Sequence, residues 1–178
     1  MVANKRVVVA SLAASAALIW SLAVQEGFDP VASRPVPNDP PTYGHGATVR
    51  PDGVPVKEGD TITRKEARQL LGRQVEDDYS ANVRRCLGDA RLHQWEFDSA
   101  VDLAYNIGWP KVCSSTMVRQ FKAGNYSAGC NSIFLFSRLH GINCALPENR
   151  NRKDGCRGIM ARRQQQFLMC SEALYAQS

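Results

Sequence analysis

The sequence of 178 residues has room for one domain of ordinary size, or for a small domain behind an N-terminal anchor. Its composition is that of a globular protein, with 44% apolar and 22% charged residues, and its net charge of +5 favours an anionic partner. The sequence has no zinc-finger spacing, no basic helix with a heptad tail and no aromatic stacking signature, so we do not expect nucleic acid to be that partner.

The first element is an apolar run from Val7 to Val24, which carries no charge and follows Lys5 and Arg6. As a helix it would be about 27 Å long, slightly less than the roughly 30 Å hydrocarbon core of a membrane. The run is weakly hydrophobic, because six of its eighteen residues are alanine and three are serine. Three interpretations stay open: a permanent membrane anchor, a cleaved signal peptide, or an anchor that later leaves the membrane.

Glu26 is the first acidic residue of the chain, and Gly27 comes directly after it. Glycine is the usual residue just past a helix end, so the sequence predicts Glu26 in the last turn of the N-terminal helix. The helix dipole presents partial negative charge there and favours a protonated carboxyl, which is the form that a general acid needs. The alternative is that Glu26 only ends a membrane anchor at the water interface.

The stretch 28–59 contains seven of the nine prolines and shows no helical period. Two short extended pieces, 42–48 and 49–56, make it a small β-hairpin lobe. Thr63 and Glu66 then form a capping-box pattern that opens a helix. Apolar residues recur behind it at helical spacing, and they predict one long helix that buries Ala67, Leu70, Leu71, Val75, Tyr79 and Val83.

The rest of the chain is predicted to be mainly helical. One helix begins near Gln94 and stops at Gly108, with an apolar inward face, and others are expected over 115–123, 127–140 and 158–175. The predicted fold class is therefore α+β, with a small β-hairpin lobe, a larger helical lobe and an N-terminal apolar helix.

The six cysteines are an even number without any Cys-x-x-Cys pair, and only three histidines accompany them, so we expect no metal site. Disulfides in an oxidising compartment fit this pattern better. The sequence does not choose among the possible pairings. We favour Cys86–Cys113 and Cys144–Cys156, which would leave Cys130–Cys170.

Several of these segments, taken in order, resemble the phage-type lysozymes. The first is Glu26-Gly27, followed by the proline-rich hairpin and Thr42-Tyr43-Gly44-His45-Gly46-Ala47-Thr48, although Ala47 stands where the family generally has histidine. Segments 62–71, 97–108, 114–116 and 158–163 resemble later parts of the family pattern. The resemblance covers roughly residues 20 to 175, and the weakly apolar N-terminus narrows it to signal-arrest-release endolysins.

The resemblance implies a muramidase that hydrolyses β-1,4 glycosidic bonds of bacterial peptidoglycan during host cell lysis. It implies a signal-arrest-release segment over 1–25 and a catalytic domain over 26–178, with the β lobe at about 28–60 and the helical lobe at about 61–178. Residues 7–24 would tether an inactive enzyme to the inner membrane before its release into the periplasm. The implied protein is a monomer that needs no cofactor.

The implied catalytic residues are Glu26 as general acid and Thr42 as the residue that holds the attacking water. The family's second carboxylate normally lies nine residues after the glutamate and six before the threonine, and Pro35 and Val36 occupy those places here. Asp39 is our candidate for the base, because it lies three residues before Thr42 on the reshaped loop. Its alternative role is to cap a turn at Asn38-Asp39-Pro40.

Other residues and other functions stay open. His45 either lines the cleft or is structural, Asn106 either binds sugar or caps a helix, and Arg162 and Arg163 either touch anionic polymer or, for one of them, brace the packing between the lobes. Because the expected second carboxylate is missing, a catalytically inactive peptidoglycan-binding protein is an alternative. A permanently anchored, disulfide-rich periplasmic protein is a further one.

Overall fold

The computed structural model describes residues 5–34 and 36–171. The chain forms two compact units. One, the hairpin unit, runs from Ala14 to Ser80, and the other, the helical unit, combines the residues up to Ala13 with those from Ala81 onward. Among the described residues, three short two-stranded antiparallel sheets accompany the helices.

The N-terminal apolar run does not form the single long helix that the sequence predicted. Val7–Val8 is a strand (β1), Val9–Ser11 is a turn of 3-10 helix, and the helix α1 spans only Ala16–Glu26. The helix starts at Ala16 because the Ser15 hydroxyl caps it, accepting a hydrogen bond from the Leu18 amide at 3.1 Å. No helix within residues 5–34 and 36–171 has the length and apolar character needed to cross a membrane.

The predicted β-hairpin lobe is present in the hairpin unit. Strand β2 (Asp29–Ser33) pairs antiparallel with β3 (Thr42–Gly44), with a shift in register between their two ends. Further along, Val49 and Pro55 form an isolated bridge within the second predicted extended piece. The core beneath the hairpin is small and apolar, and it consists of Ala32, Tyr43, Val56, Ile62 and Ala67.

Helix α2 (Arg64–Gln74) opens with the predicted capping box: the Thr63 hydroxyl accepts from the Glu66 amide at 3.3 Å, and Glu66 accepts from the Thr63 amide at 3.0 Å. The long helix predicted behind it is interrupted. A π-helical segment, Val75–Ser80, follows α2 and leads into α3 (Ala81–Leu87), which begins the next stretch of the helical unit.

The helical unit is built around α4 (Gln94–Ile107), in which every residue from Trp95 to Ala104 is buried. The helix ends where the sequence predicted, at Gly108 with a φ of 89°. Around it lie β4 (Arg91–Leu92), α5 (Trp109–Cys113), α6 (Thr116–Lys122), α7 (Tyr126–Asn131), the 3-10 turn Ser132–Phe136, the hairpin β5 (Arg138–Leu139) with β6 (Ile142–Asn143), and α8 (Cys156–Cys170).

The helix predicted over 127–140 is shorter in the structure. It ends at Asn131, and the chain then turns through His140 and Gly141, whose positive φ values of 46° and 83° are incompatible with a continuing helix. The last helix begins two residues before its predicted start, and its predicted end at Tyr175 lies outside the described residues.

The N-terminal residues are packed into the helical unit. Val7 pairs with Leu92 and Val8 with Arg91 in an antiparallel ladder, and Val9 is completely buried. Just before them, Arg6 donates from Nε and Nη2 to the buried Glu96 carboxylate at 3.0 and 2.8 Å. Val7 and Val8 therefore form a strand of the unit and Val9 begins a 3-10 turn, so these residues are not the first turns of a long helix.

All three disulfides lie within the helical unit, and their pairing is the favoured one: Cys86–Cys113, Cys130–Cys170 and Cys144–Cys156. The last closes the polar loop 145–155 that precedes α8. The hairpin unit contains no cysteine.

Candidate functional site

Glu26 is the last residue of α1, and its side chain is exposed. The helix ends there because Gly27 adopts a φ of 77°, which favours glycine. The predicted location of Glu26 at a helix end next to glycine is therefore confirmed. The helix dipole presents its partial negative end at this residue.

The β-hairpin folds back onto this helix end. Asp29 lies opposite Gly44 and Ser33 opposite Thr42 in the β2–β3 pair. In the turn after β3, the His45 ring donates a hydrogen bond from Nδ1 to the main-chain carbonyl of Gly27. The end of the hairpin is thus attached to the residue that follows Glu26, so the structural role weighed for His45 is observed.

Thr42 is half-buried at the start of β3, and the next residue, Tyr43, is 2% exposed in the core. Side chains alternate between the faces of a strand, so Thr42 is directed away from the core that holds Tyr43. Burial raises the pKa of the Tyr43 phenol, which agrees with its position inside the unit.

Asp39 lies in an exposed turn that precedes β3. Main-chain groups hold this turn: the Asp39 amide donates to the Val36 carbonyl at 3.2 Å, and the Arg34 guanidinium donates to the Asp39 carbonyl at 2.7 Å. Within the described part of the chain the Asp39 carboxylate accepts no hydrogen bond, so the turn-capping role weighed for it is not observed there. Pro35, one of the two places where the resemblance expects a carboxylate, lies outside the described residues.

Tyr79, in the π-helical segment, is a neighbour of Glu26 that the sequence did not reveal. Burial raises the pKa of the Tyr79 phenol, and the negative charges of Asp78 and Glu26 raise it further. The Glu26 carboxylate is thus close enough to Tyr79 for their charges to interact. The helical spacing of Tyr79 predicted only an inward-facing residue. A π-helical segment is often found near functional sites.

Three other candidates lie in the helical unit. Asn106 is exposed in the last turn of α4. Arg162 forms an ion pair with the buried Asp102 at 3.3 Å, although burial still raises the pKa of that carboxyl. Arg163 is 3% exposed and donates to the Phe136 carbonyl at 3.0 Å, and its burial lowers the pKa of the guanidinium to about 10. Both arginines therefore contact other residues of their own unit, and a role of one of them in packing between the lobes stays a prediction.

A family model described as phage lysozyme matches residues 23–166, most of the chain. The chain belongs to the phage lysozyme family. The match begins three residues before Glu26 and includes Glu26, Asp39 and Thr42, whereas residues 1–22 lie outside it.

Two curated phage endolysins share part of this phage lysozyme sequence. The endolysin of Salmonella phage P22 is 35% identical over 101 residues, which is 55% of this chain and 66% of that protein. The endolysin of Bacillus phage B103 is 30% identical over 100 residues, 56% of this chain and 35% of that protein. The aligned chain thus spans less than two thirds of either relative.

The fold is that of a phage lysozyme as well. A crystal structure of a mutant P22 lysozyme superposes with a TM-score of 0.70, with 24% sequence identity, and the match covers 90% of this chain and 99% of that one. The predicted lysozyme-like α+β class, with helices and small sheets, is therefore confirmed, while the long N-terminal helix is not.

Proposed function

We propose that this protein is an endolysin that hydrolyses the β-1,4 glycosidic bonds of bacterial peptidoglycan during host cell lysis. The observation that carries the proposal is the family match over residues 23–166, which includes an exposed glutamate at the end of a helix, with a hairpin attached next to it. The net charge of +5 suits an anionic wall polymer as the substrate.

In the proposed reaction, Glu26 donates a proton to the oxygen of the leaving sugar. Glu26 is exposed at the end of α1, so its carboxyl is accessible to a bound sugar. Thr42, at the start of β3, holds the attacking water with its hydroxyl. Glycoside hydrolysis by this route also requires a carboxylate to direct that water.

Asp39 is our proposal for that carboxylate. Its backbone is held in the turn by Arg34, which is itself paired with Glu58 at 2.9 Å, whereas its side chain is exposed. A carboxylate whose backbone is held in place and whose side chain is exposed to solvent is suited to act as the catalytic base. The other acid of the hairpin, Asp29, lies only three residues from Glu26, within β2.

A catalytically inactive peptidoglycan-binding protein is the second candidate. It is favoured by one observation, namely that Pro35 and Val36 replace the carboxylate at the family's usual spacing. In this case the fold and the affinity for the wall would persist without hydrolysis.

Both candidates are tested by the loss of turbidity of purified peptidoglycan, measured for the oxidised protein, its Glu26→Gln variant and its Thr42→Val variant. Clearing by the parent and by neither variant supports the proposed hydrolase. Sedimentation of the parent with the wall without any clearing supports the inactive binding protein. Clearing by the Glu26→Gln protein at the parent rate overturns the proposed role of Glu26.

We further propose that residues 1–25 act as a signal-arrest-release segment ahead of the catalytic domain 26–178, and that residues 7–24 tether the exported protein to the inner membrane before it acts in the periplasm. The support is that these apolar residues have two mutually exclusive uses. In the folded chain Val9 and Leu12 are buried in the helical unit and Leu18 and Leu22 in the hairpin unit, whereas a tether would require them in lipid.

This second proposal is tested by replacing residues 7–24 with a strongly hydrophobic segment that does not leave the membrane. The proposal expects a tethered protein that does not clear the wall from the periplasmic side, while the native chain does. Equal lysis by the two proteins would overturn it.

A further inference from the structure

The hairpin unit contains a cavity of about 320 Å³ that none of the candidate catalytic residues lines. It lies between α1, the residues after α1 and the first two turns of α2. Its size falls at the lower end of the range for small-ligand sites. The side chains that give it chemical character are Trp20, Val24, Phe28, His45, Arg64 and Arg68.

The two arginines are stacked on the two aromatic rings. The guanidinium carbon of Arg64 is 4.4 Å from the centre of the Phe28 ring, and that of Arg68 is 5.1 Å from the centre of the Trp20 ring. Within residues 5–34 and 36–171, neither guanidinium has a carboxylate partner, and the cavity lining includes no acidic residue. The cavity thus carries two positive charges, each on an exposed arginine side chain that lies over an aromatic ring.

The apolar part of the cavity is unusually exposed. Trp20 is 58% and Val24 66% exposed, although both belong to a helix whose other face is buried through Leu18 and Leu22. The ring of Phe28 adjoins them. An amphipathic anion would cover these apolar surfaces and pair with the guanidinium groups in the same event.

The His45 ring forms one wall and is fixed in place. Its Nδ1 donates to the Gly27 carbonyl, and its ring is 5.8 Å from that of Phe28. The wall and the two cation–π pairs are therefore already arranged before any ligand arrives. A preformed site loses less conformational entropy on binding.

We propose that this cavity binds a carboxylate-bearing muramyl unit of peptidoglycan, separately from cleavage. The choice of polymer rests on the proposed function. A muramyl unit offers an apolar sugar face, methyl groups and carboxylates on its peptide, which match the rings and the planar guanidinium groups. The site holds the polymer on the enzyme while another part of it is cut.

The test measures binding of a soluble muramyl dipeptide, which carries the sugar and a free carboxylate, to the full oxidised chain in a Glu26→Gln background. Isothermal titration gives the affinity, and Trp20 fluorescence, assigned with a Trp20→Phe variant, reports occupation of the cavity. The Arg64→Gln/Arg68→Gln double variant should bind about tenfold more weakly, because charge-assisted hydrogen bonds are lost.

Three controls isolate the cavity. Arg73→Gln removes another α2 arginine that does not line the cavity and should leave the affinity unchanged. Arg64→Lys/Arg68→Lys keeps the charge but not the planar fork, and should bind with intermediate affinity. Unchanged thermal unfolding of the variants shows that any loss of binding does not come from misfolding.

Several outcomes would overturn the inference. The first is that the parent and the Arg64→Gln/Arg68→Gln protein bind the muramyl dipeptide with equal affinity. The second is that the parent binds an uncharged chito-oligosaccharide of similar size as tightly as the muramyl dipeptide. The third is that the parent binds phosphatidylglycerol vesicles but not the muramyl dipeptide. The last would identify a lipid surface as the ligand. The muramyl dipeptide is bound and not cut, so the binding test does not depend on hydrolysis. If the dipeptide does not bind but the protein still clears the wall, the cavity proposal is wrong and the proposed hydrolase is retained. If the protein does not clear the wall, the binding measurement still tests the cavity.

Discussion

His45 donates a hydrogen bond to the carbonyl of Gly27 and so joins the turn of the β-hairpin to the end of α1. The bond fixes the chain on both sides of the proposed active site, since Glu26 immediately precedes Gly27 and Thr42 lies three residues before His45. Glu26, the proposed acid, and Thr42, the proposed water-holding residue, therefore lie on two elements, α1 and β3, that this hydrogen bond connects. The following predictions test that arrangement.

Replacement of Glu26 by glutamine should reduce the rate of peptidoglycan hydrolysis by about 100- to 10,000-fold, the usual contribution of a general acid. The amide keeps the size of the side chain but cannot donate the required proton. The rate is measured by reducing-end release from purified wall. Gln25→Ala is the matched control, because Gln25 is exposed and bonds only to Ser21 among the described residues, so its rate should stay near that of the parent.

Asp39→Asn should lower the same rate by about 100-fold or more if Asp39 directs the water. Asp29→Asn is its comparison, since Asp29 is the other acid of the hairpin and its backbone is held in β2. We expect the Asp29 variant to remain active. Full activity of the Asp39 variant together with loss of activity of the Asp29 variant would assign the base to Asp29 instead.

Glu26→Gln should also lower the pKa of Tyr79, because it removes one of the two carboxylate charges that oppose ionisation of the phenol. A raised pKa in the folded state means that stability falls as the pH rises above the ordinary value of about 10, and the variant should lose less stability there. NMR titration of carbon-labelled tyrosine gives the pKa. Glu58→Gln, whose charge does not act on Tyr79, should leave it unchanged, and an equal effect of both variants would contradict the inferred proximity of Glu26 and Tyr79.

Arg6→Gln should destabilise the protein by about 1–3 kcal/mol, because the buried Glu96 carboxylate loses its bidentate partner. The guanidinium also lies 3.5 Å from the centre of the Tyr126 ring, a contact that the variant removes. Denaturant unfolding measures the difference. Arg152→Gln breaks an ion pair exposed on both sides and should cost at most about 1 kcal/mol. Similar effects of the two changes would show that Arg6 is not anchored as described.

The parts of the fold that were predicted correctly depend on signals close together in the chain. The Glu26-Gly27 helix end, the capping box at Thr63 and the stop at Gly108 are each set by a few adjacent residues. The apolar face of α4 could be predicted as well, because its apolar residues recur at helical spacing.

The errors came from partners that lie far away in the sequence. Val7 and Val8 were assigned to a helix because their strand partners, Leu92 and Arg91, could not be identified from the run itself. The interruption of the long helix by Val75–Ser80 has no composition signal, and the charge interaction of Tyr79 with Glu26 joins two residues that are far apart in the sequence. The roles of Glu26, Asp39 and Thr42 come from the family pattern and stay predictions.

The pairing of β1 with β4 has a consequence for the order in which the protein acquires its structure. The ribosome makes the N-terminus first, yet Arg6 and Glu96 are 90 residues apart, so the final partners of Arg6 and Val7 do not exist when those residues emerge. The hairpin unit is continuous in sequence and can fold in the meantime. Arg6 and Val7 therefore reach their final positions only after the chain has been made as far as residues 91–96, and until then they are not held in the helical unit.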